Sequence, residues 1–189
     1  MIIGDALFIR GHLSAYLQKE KDELRNYVDR AIRDNPSLDE AALVKLITER
    51  GAVATLAVDF SAPTKDVRPI KTSVNDYGRH IEIDGVRATK TFSFTGEPIL
   101  FQLQPNSFTS VIPHGRVSGQ SIMIGWEGRN DAEAIKRALG DQEKMLAEYI
   151  ERQRADIEAH NAGLEQRVAR EVKTRLEHIG SVNRLKDII

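Results

Sequence analysis

The last third of the chain is the feature that most limits what the protein can fold into. Residues 129–189 contain no proline, and apolar side chains recur there every three or four residues. This spacing predicts one long helix with a coiled-coil-like seam along one face. The seam positions are Ile135, Leu139, Gln142, Leu146, Ile150, Gln153, Ile157, His160, Leu164, Val168, Val172, Leu176 and Ile179.

A helix that runs without a break from residue 129 to Ile179 would be about 75 Å long, at roughly 1.5 Å per residue. A small domain cannot bury such a helix alone, so we expect it to pack against the N-terminal helix or a second copy of the chain. Gln153 and His160 would fix the register if buried, and would have no such role at a solvated edge. The predicted oligomerisation residues are Ile150, Gln153, Ile157, His160, Leu164 and Val168.

The sequence pattern of the N-terminal part predicts a helical hairpin. Residues 14–34 lack Gly and Pro and place their apolar side chains on one helical face. Asn35-Pro36 ends this helix, because a proline disfavours the helical conformation of the residue before it. Ser37 and Glu40 form a capping-box pattern for a second helix over residues 38–50, which Gly51 would terminate.

The central part, residues 52–128, is rich in strand signals. Asp84-Gly85 is the strongest turn signal, and it predicts a hairpin between Arg79–Ile83 and Val86–Phe94 with Phe92 and Phe94 facing the core. Pro105–Gly119 is too interrupted to predict regular structure. The predicted class is α+β: a helical hairpin, a mostly antiparallel sheet, and a long C-terminal helix.

We therefore expect an α+β domain over residues 1–128 and a helical oligomerisation or linker region over 129–189. The chain stops in the apolar run Lys-Asp-Ile-Ile without a capping residue, and Gly180-Ser181 is a point where the last helix could break. This ending predicts that the sequence is part of a longer protein in which a further domain follows.

Composition excludes several classes of function. The 27 Lys and Arg nearly cancel the 28 Asp and Glu, which disfavours a strongly basic nucleic-acid binder. The chain has no cysteine, so it cannot form a disulfide, a thiolate metal site or a cysteine nucleophile. No stretch reaches the roughly 20 apolar residues that span a bilayer, and the N-terminus does not resemble a signal peptide. We expect a cytoplasmic protein without membrane contact.

Candidate binding residues lie in the distinctive segment from Pro105 to Arg116. Its Phe108 could anchor the loop on the sheet, while His114 and Arg116 flank Gly115 and could bind an anion or a partner carboxylate. The alternative is an ordinary connection whose aromatic residue fills the core. We predict partner or ligand binding through Phe108, His114 and Arg116.

No convincing catalytic or metal site is evident. The five histidines do not have the spacing of metal ligands, and no cofactor motif is present. One alternative function is a metal-dependent hydrolase or nuclease that uses His80, Glu82 and Asp84, although the lysine that such nucleases place after the carboxylates is missing. A second is a nucleic-acid adapter that binds phosphates through six basic residues: Arg68, Lys71, Arg79, Arg87, Lys90 and Arg116.

A family resemblance covers about residues 90–189. The segment Phe92-Ser-Phe-Thr-Gly-Glu-Pro-Ile-Leu-Phe101, the residues Pro105, Phe108, Pro113 and Gly115, and the helix motif Asn161-Ala-Gly-Leu164 with Arg175–Ile189 carry it. This pattern resembles an N-terminal accessory module of prokaryotic proteins whose C-terminal effector domain is of TIR or restriction-endonuclease-like type. Several of those proteins are associated with antiphage defence.

The resemblance implies a module that regulates an attached effector. It carries over no activity, because the residues of the effector are not in this sequence. Together with the long seam and the missing active site, it predicts a non-catalytic module that self-associates through the helix and senses or contacts a partner through the sheet and loop.

Overall fold

The computed structural model describes residues 1–76 and 79–186 and shows a mixture of helix and mostly antiparallel sheet. The predicted α+β class is thus confirmed. The described helices are α1 (Leu13–Asp34), α2 (Glu40–Gly51), α3 (Ala132–Ala162) and α4 (Leu164–Lys186), with one 3-10 helix at Pro98–Gln102. The strands are β1 (Ile2–Ile3), β2 (Asp5–Ala6), β3 (Gly11–His12), β4 (Ala57–Val58), β5 (Thr64–Asp76), β6 (Arg79–Thr95), β7 (Leu103–Gln104), β8 (His114–Ser118) and β9 (Ser121–Gly128).

The chain forms two compact units. The sheet unit comprises Met1–Leu13 and Thr55–Arg154, and the helical unit comprises Ser14–Ala54 and Ala155–Ile189. The boundary between them falls inside α3. This grouping by contacts differs from the predicted division at residue 128, because α3 as far as Arg154 packs with the strands.

In the sheet unit, β6 is the central strand. It pairs antiparallel with β9 on one side and with β5 and β4 on the other. Within the described residues the main sheet has seven strands, in which β8 and the N-terminal strands β1 and β2 extend the β9 side. Even-numbered side chains in the second half of β6 and the first half of β9 face the core, as alternation in a strand allows. They include Phe92, Phe94, Ile122 and Ile124.

The predicted hairpin turn at Asp84-Gly85 is wrong. Both residues lie inside β6, where they pair with Lys71 and Ile70 of β5, and β6 begins only at Arg79. Gly85 has no positive φ; a methyl group there would collide with the carbonyl oxygen of Gly128 and the side chain of Thr72. The glycine therefore allows a close approach of neighbouring strands within the sheet. The sequence pattern Asp-Gly does not show whether a glycine lies at such an approach or in a turn.

Two further predictions for the sheet region are corrected. The stretch Ile99–Leu103, whose composition favours a strand, lies mostly in a 3-10 helix over Pro98–Gln102 that begins at Pro98, whose fixed φ suits a helical start. The segment from Pro105 to Gly119 contains the regular strand β8, which forms a hairpin with β9. Strand pairing gave β8 a regular structure that its local composition did not predict.

The helical unit buries one apolar core from three helices. Its buried members are Leu24, Val28, Leu43, Ile47, Leu164, Val168 and Val172. The predicted helices at 14–34 and 38–50 match α1 and α2, but the cap of α2 is Asp39, which accepts a hydrogen bond from the backbone nitrogen of Ala42, and not Ser37. The helix also extends through Gly51 to a C-cap at Ala52.

The C-terminal helix is two helices instead of one. α3 ends at Ala162 and α4 begins at Leu164, so Gly163 separates them, as its low helix propensity allows. Asn161 next to this break binds both the nitrogen and the oxygen of Val53, at 3.1 and 2.9 Å. Gly180-Ser181 does not break α4, and the predicted segment from Val182 onward lies within it as far as the structure describes the chain. None of the described helices is long and apolar enough to cross a membrane.

Candidate functional site

The loop between β7 and β8, residues 105–113, presents apolar side chains to solvent. Phe108 is 56% exposed and Val111 is 60% exposed. The prediction that Phe108 anchors the loop is therefore wrong, because its ring does not enter the core. A loop that displays an aromatic and an aliphatic side chain, and carries no charged residue, has the composition of a protein contact surface. We call residues 105–113 the contact loop.

Tyr149 of α3, and not Phe108, anchors the contact loop. Its hydroxyl oxygen lies 2.9 Å from the carbonyl oxygen of Thr109 and 3.2 Å from that of Val111, and it accepts a bond from the Thr109 nitrogen at 3.3 Å. The Tyr149 side chain is 2% exposed and stacks on Phe8. A buried tyrosine hydroxyl requires a partner, and here the loop backbone supplies it.

His114 and Arg116 follow the contact loop directly. They lie on the same face of β8, with the buried Gly115 between them; His114 is half-buried and Arg116 is exposed. The backbone nitrogen of His114 donates to the side chain of Gln142 at 2.8 Å, which holds β8 on α3. The structure thus brings His114 and Arg116 to one strand face beside the loop that carries Phe108.

The predicted oligomerisation seam is covered by the chain itself. In the sheet unit, Ile150 is 5% exposed, and Gln153 donates to the carbonyl oxygens of Leu100 and Leu103 at 2.8 and 2.5 Å. In the helical unit, the remaining four predicted residues are buried as well: Ile157, His160, Leu164 and Val168. None of the six side chains is free to meet a second copy, so any self-association must use other residues.

His160 is the buried titratable group of the seam. Burial lowers the pKa of His160 below its ordinary value of 6.5, and the nearby charges of Arg167 and Lys21 lower it further. Its Nδ1 atom is buried without a hydrogen-bond partner, while Arg167 donates to its backbone oxygen at 2.8 Å. Burial and the neighbouring cations therefore favour the neutral imidazole.

The described part of the sheet does not support the hydrolase hypothesis, which requires Glu82 and Asp84 to act together. Asp84 forms an ion pair with Lys71 across the strands at 2.6 Å, and Glu82 lies opposite Ser73. The side chain of His80 lies outside the described residues. Among the residues that are described, no three His, Asp or Glu side chains gather as metal ligands.

The phosphate-binding hypothesis loses half of its six basic residues to ion pairs. Lys71 pairs with Asp84, Arg87 with Glu127, and Lys90 with Glu143 at 2.5 Å. The side chain of Arg79 lies outside the described residues. Arg68 and Arg116 are exposed, and two cations do not form the basic stripe that nucleic-acid binding uses.

Sequence reasoning missed the roles of Gln142, Tyr149 and the N-terminal residues. Tyr149 precedes the seam residue Ile150, and a tyrosine beside a buried seam is a signal for a hydroxyl that needs a partner. Residues 2–6 form strands whose partners lie more than 100 positions away, and nothing in the local sequence predicts such pairs.

Comparisons with known protein families, curated proteins and solved structures gave no match to this chain.

Proposed function

We propose that the chain is a non-catalytic protein-interaction module that binds a partner protein through the contact loop, with Phe108 and Val111 as the apolar contacts. The observation that carries this proposal is the combination of two mostly exposed apolar side chains with a loop backbone that a buried tyrosine holds in place. A prearranged loop loses little conformational entropy on binding, so its apolar contacts contribute more fully to affinity.

His114 and Arg116 complete the proposed surface. An exposed guanidinium beside an apolar patch suits a partner that carries a carboxylate next to apolar side chains, because arginine binds carboxylates with two parallel hydrogen bonds. The resemblance to accessory modules supports the further proposal that the partner is an effector domain, in the same protein or another, and that the module acts in the cytoplasm in prokaryotic antiphage defence.

The absence of cysteine provides a direct test. Phe108→Cys creates a unique thiol that accepts a cysteine-directed photo-crosslinker. We expect the labelled protein, illuminated in an extract of cells that encode it, to form one discrete adduct. Val67→Cys is the matched control, since Val67 is a 66% exposed apolar residue on β5, away from the loop sequence.

The adduct at position 108 should disappear when Val111→Ser is added, because the second apolar contact is then lost. Equal adducts at positions 67 and 108 would show that exposure alone causes them. That result, or the absence of any adduct at position 108, would contradict the proposal.

A further inference from the structure

The end of α4 carries an apolar face that the described residues cover only in part. Ion pairs join Arg25 to Glu171 and Asp29 to Arg175, so α1 and α4 run parallel. α1 ends five residues after Asp29, whereas α4 continues for eleven residues after Arg175. The seam of α4 therefore passes beyond the helix that covers it. The uncovered residues are Ile179, Val182 and Leu185, which are 38%, 37% and 59% exposed.

A groove of about 470 Å³ lies where α1 ends against this face of α4. Ile32, Ile179 and Val182 supply its apolar lining. Its rim is basic, because Arg33 forms no ion pair within the described residues and Arg184 follows the groove, while Asp29 already pairs with Arg175. We call this the basic end of the helical unit.

A second groove, of about 560 Å³, lies between α2 and the first turn of α4. It has an apolar floor of Ala41 and Val44 and a rim of Glu40, Glu49 and Glu165. Lys45, the cation in the lining, pairs with Glu49 at 4.0 Å, which leaves the rim with a net charge of −2. Glu49 lies in the last turn of α2, where the helix dipole disfavours a negative charge. We call this the acidic groove.

We propose that the helical unit binds a second copy of the chain head to tail, with the basic end of one copy seated in the acidic groove of the next. Both surfaces are apolar in the middle and charged at the rim, and their charges are opposite, which favours association between them over association of like with like. The two surfaces lie at different places on one chain, so the contact is heterologous. Repeated contacts of this kind build rings or filaments and not closed dimers.

The proposal makes no use of the contact loop and stands apart from the proposed function. Its test uses two charge-reversal variants of the full chain. One reverses the acidic groove with Glu49→Lys and Glu165→Lys, and the other reverses the basic end with Arg33→Glu and Arg184→Glu. All four side chains are exposed, and unchanged circular dichroism and melting temperature would verify that each variant folds.

Sedimentation velocity is the measurement. The wild-type protein should form species that grow with concentration and dissociate as salt is raised, since salt screens the rim charges. Each variant should associate about tenfold or more weakly and remain monomeric at concentrations where the wild type assembles. Mixed one to one, the two variants offer one native contact and one contact with both charges swapped, so they should assemble with each other and again grow with concentration.

Three results would overturn the proposal. The wild type could stay monomeric at about 100 µM in low salt. It could form a closed dimer that does not grow with concentration, which would indicate a symmetric contact. The mixed variants could fail to assemble with each other although both are folded.

Discussion

Single residues decide what the contact loop can do. Phe108 and Tyr149 are both aromatic, but the structure uses them in opposite ways: Tyr149 is buried and bonds to the loop backbone, while Phe108 is exposed. The sequence predicted that Phe108 anchors its loop, whereas the anchor is Tyr149. The hydroxyl of Tyr149 bonds to Thr109, which lies 40 positions earlier, and a local pattern does not predict a contact over that separation.

Removal of the Tyr149 hydroxyl should loosen the contact loop without disturbing the core. In Tyr149→Phe the ring remains, but the loop backbone loses its hydrogen bonds, at an expected cost of about 1 kcal/mol in unfolding free energy. Amide hydrogen exchange at Thr109 should become several-fold faster. Tyr27→Phe is the control, because the hydroxyl of Tyr27 bonds only to Glu23 in its own helix. Unchanged exchange at Thr109 would contradict the anchoring role.

Burial of His160 makes the stability of the protein depend on pH. The pKa of this imidazole is lowered in the folded state, so below about pH 6.5 the unfolded chain binds a proton that the folded chain does not. The unfolding free energy should therefore fall as the pH is lowered from 7 to 5. The slope cannot exceed about 1.4 kcal/mol per pH unit for one group.

His160→Gln should flatten this pH dependence in urea titrations, and His12→Gln, at an exposed position, should leave it unchanged. A wild-type profile without the loss of stability below pH 6.5 would show that His160 is protonated in the folded protein.

At the scale of elements, helical periodicity was the most reliable signal. The seam positions from Leu139 to Val172 are buried, and α1 and α2 lie close to where the pattern predicts them. The strands were harder to predict, because pairing between distant segments selects them. Asp84-Gly85 satisfied the local rule for a turn and lies inside the longest strand.

Two glycine-to-alanine substitutions, one in β6 and one in α3, should change the unfolding free energy in opposite directions. Gly85→Ala should destabilise the protein by about 1–3 kcal/mol, because the added methyl group meets the neighbouring strands and cannot be accommodated without a backbone shift. Gly140→Ala should stabilise it by about 0.5–1 kcal/mol, since that helical position has open space around it. Urea denaturation measures both. If Gly85→Ala left the unfolding free energy unchanged, the close approach of the strands could not be the reason for a glycine at this position.

For the molecule as a whole, the predicted α+β class is right and the predicted use of the seam is not supported. A seam with 3.5-residue spacing does not reveal whether its partner is a second chain or the same chain. Here Gln142 and Gln153, the polar seam members of the sheet unit, bind backbone groups of β8 and of residues 100 and 103. Of the three predicted binding residues, Phe108 and Arg116 are exposed and His114 is half-buried.

The most direct test of the central claim is the unfolding free energy of the double variant Phe108→Ser, Val111→Ser, measured in urea. If these side chains are presented to a partner, the fold does not need them, and the loss should stay below about 0.5 kcal/mol. Phe92→Ala, at a fully buried position, should lose about 3–5 kcal/mol in the same assay. A loss above about 2 kcal/mol in the double variant would place Phe108 and Val111 in the folded core and contradict the contact surface.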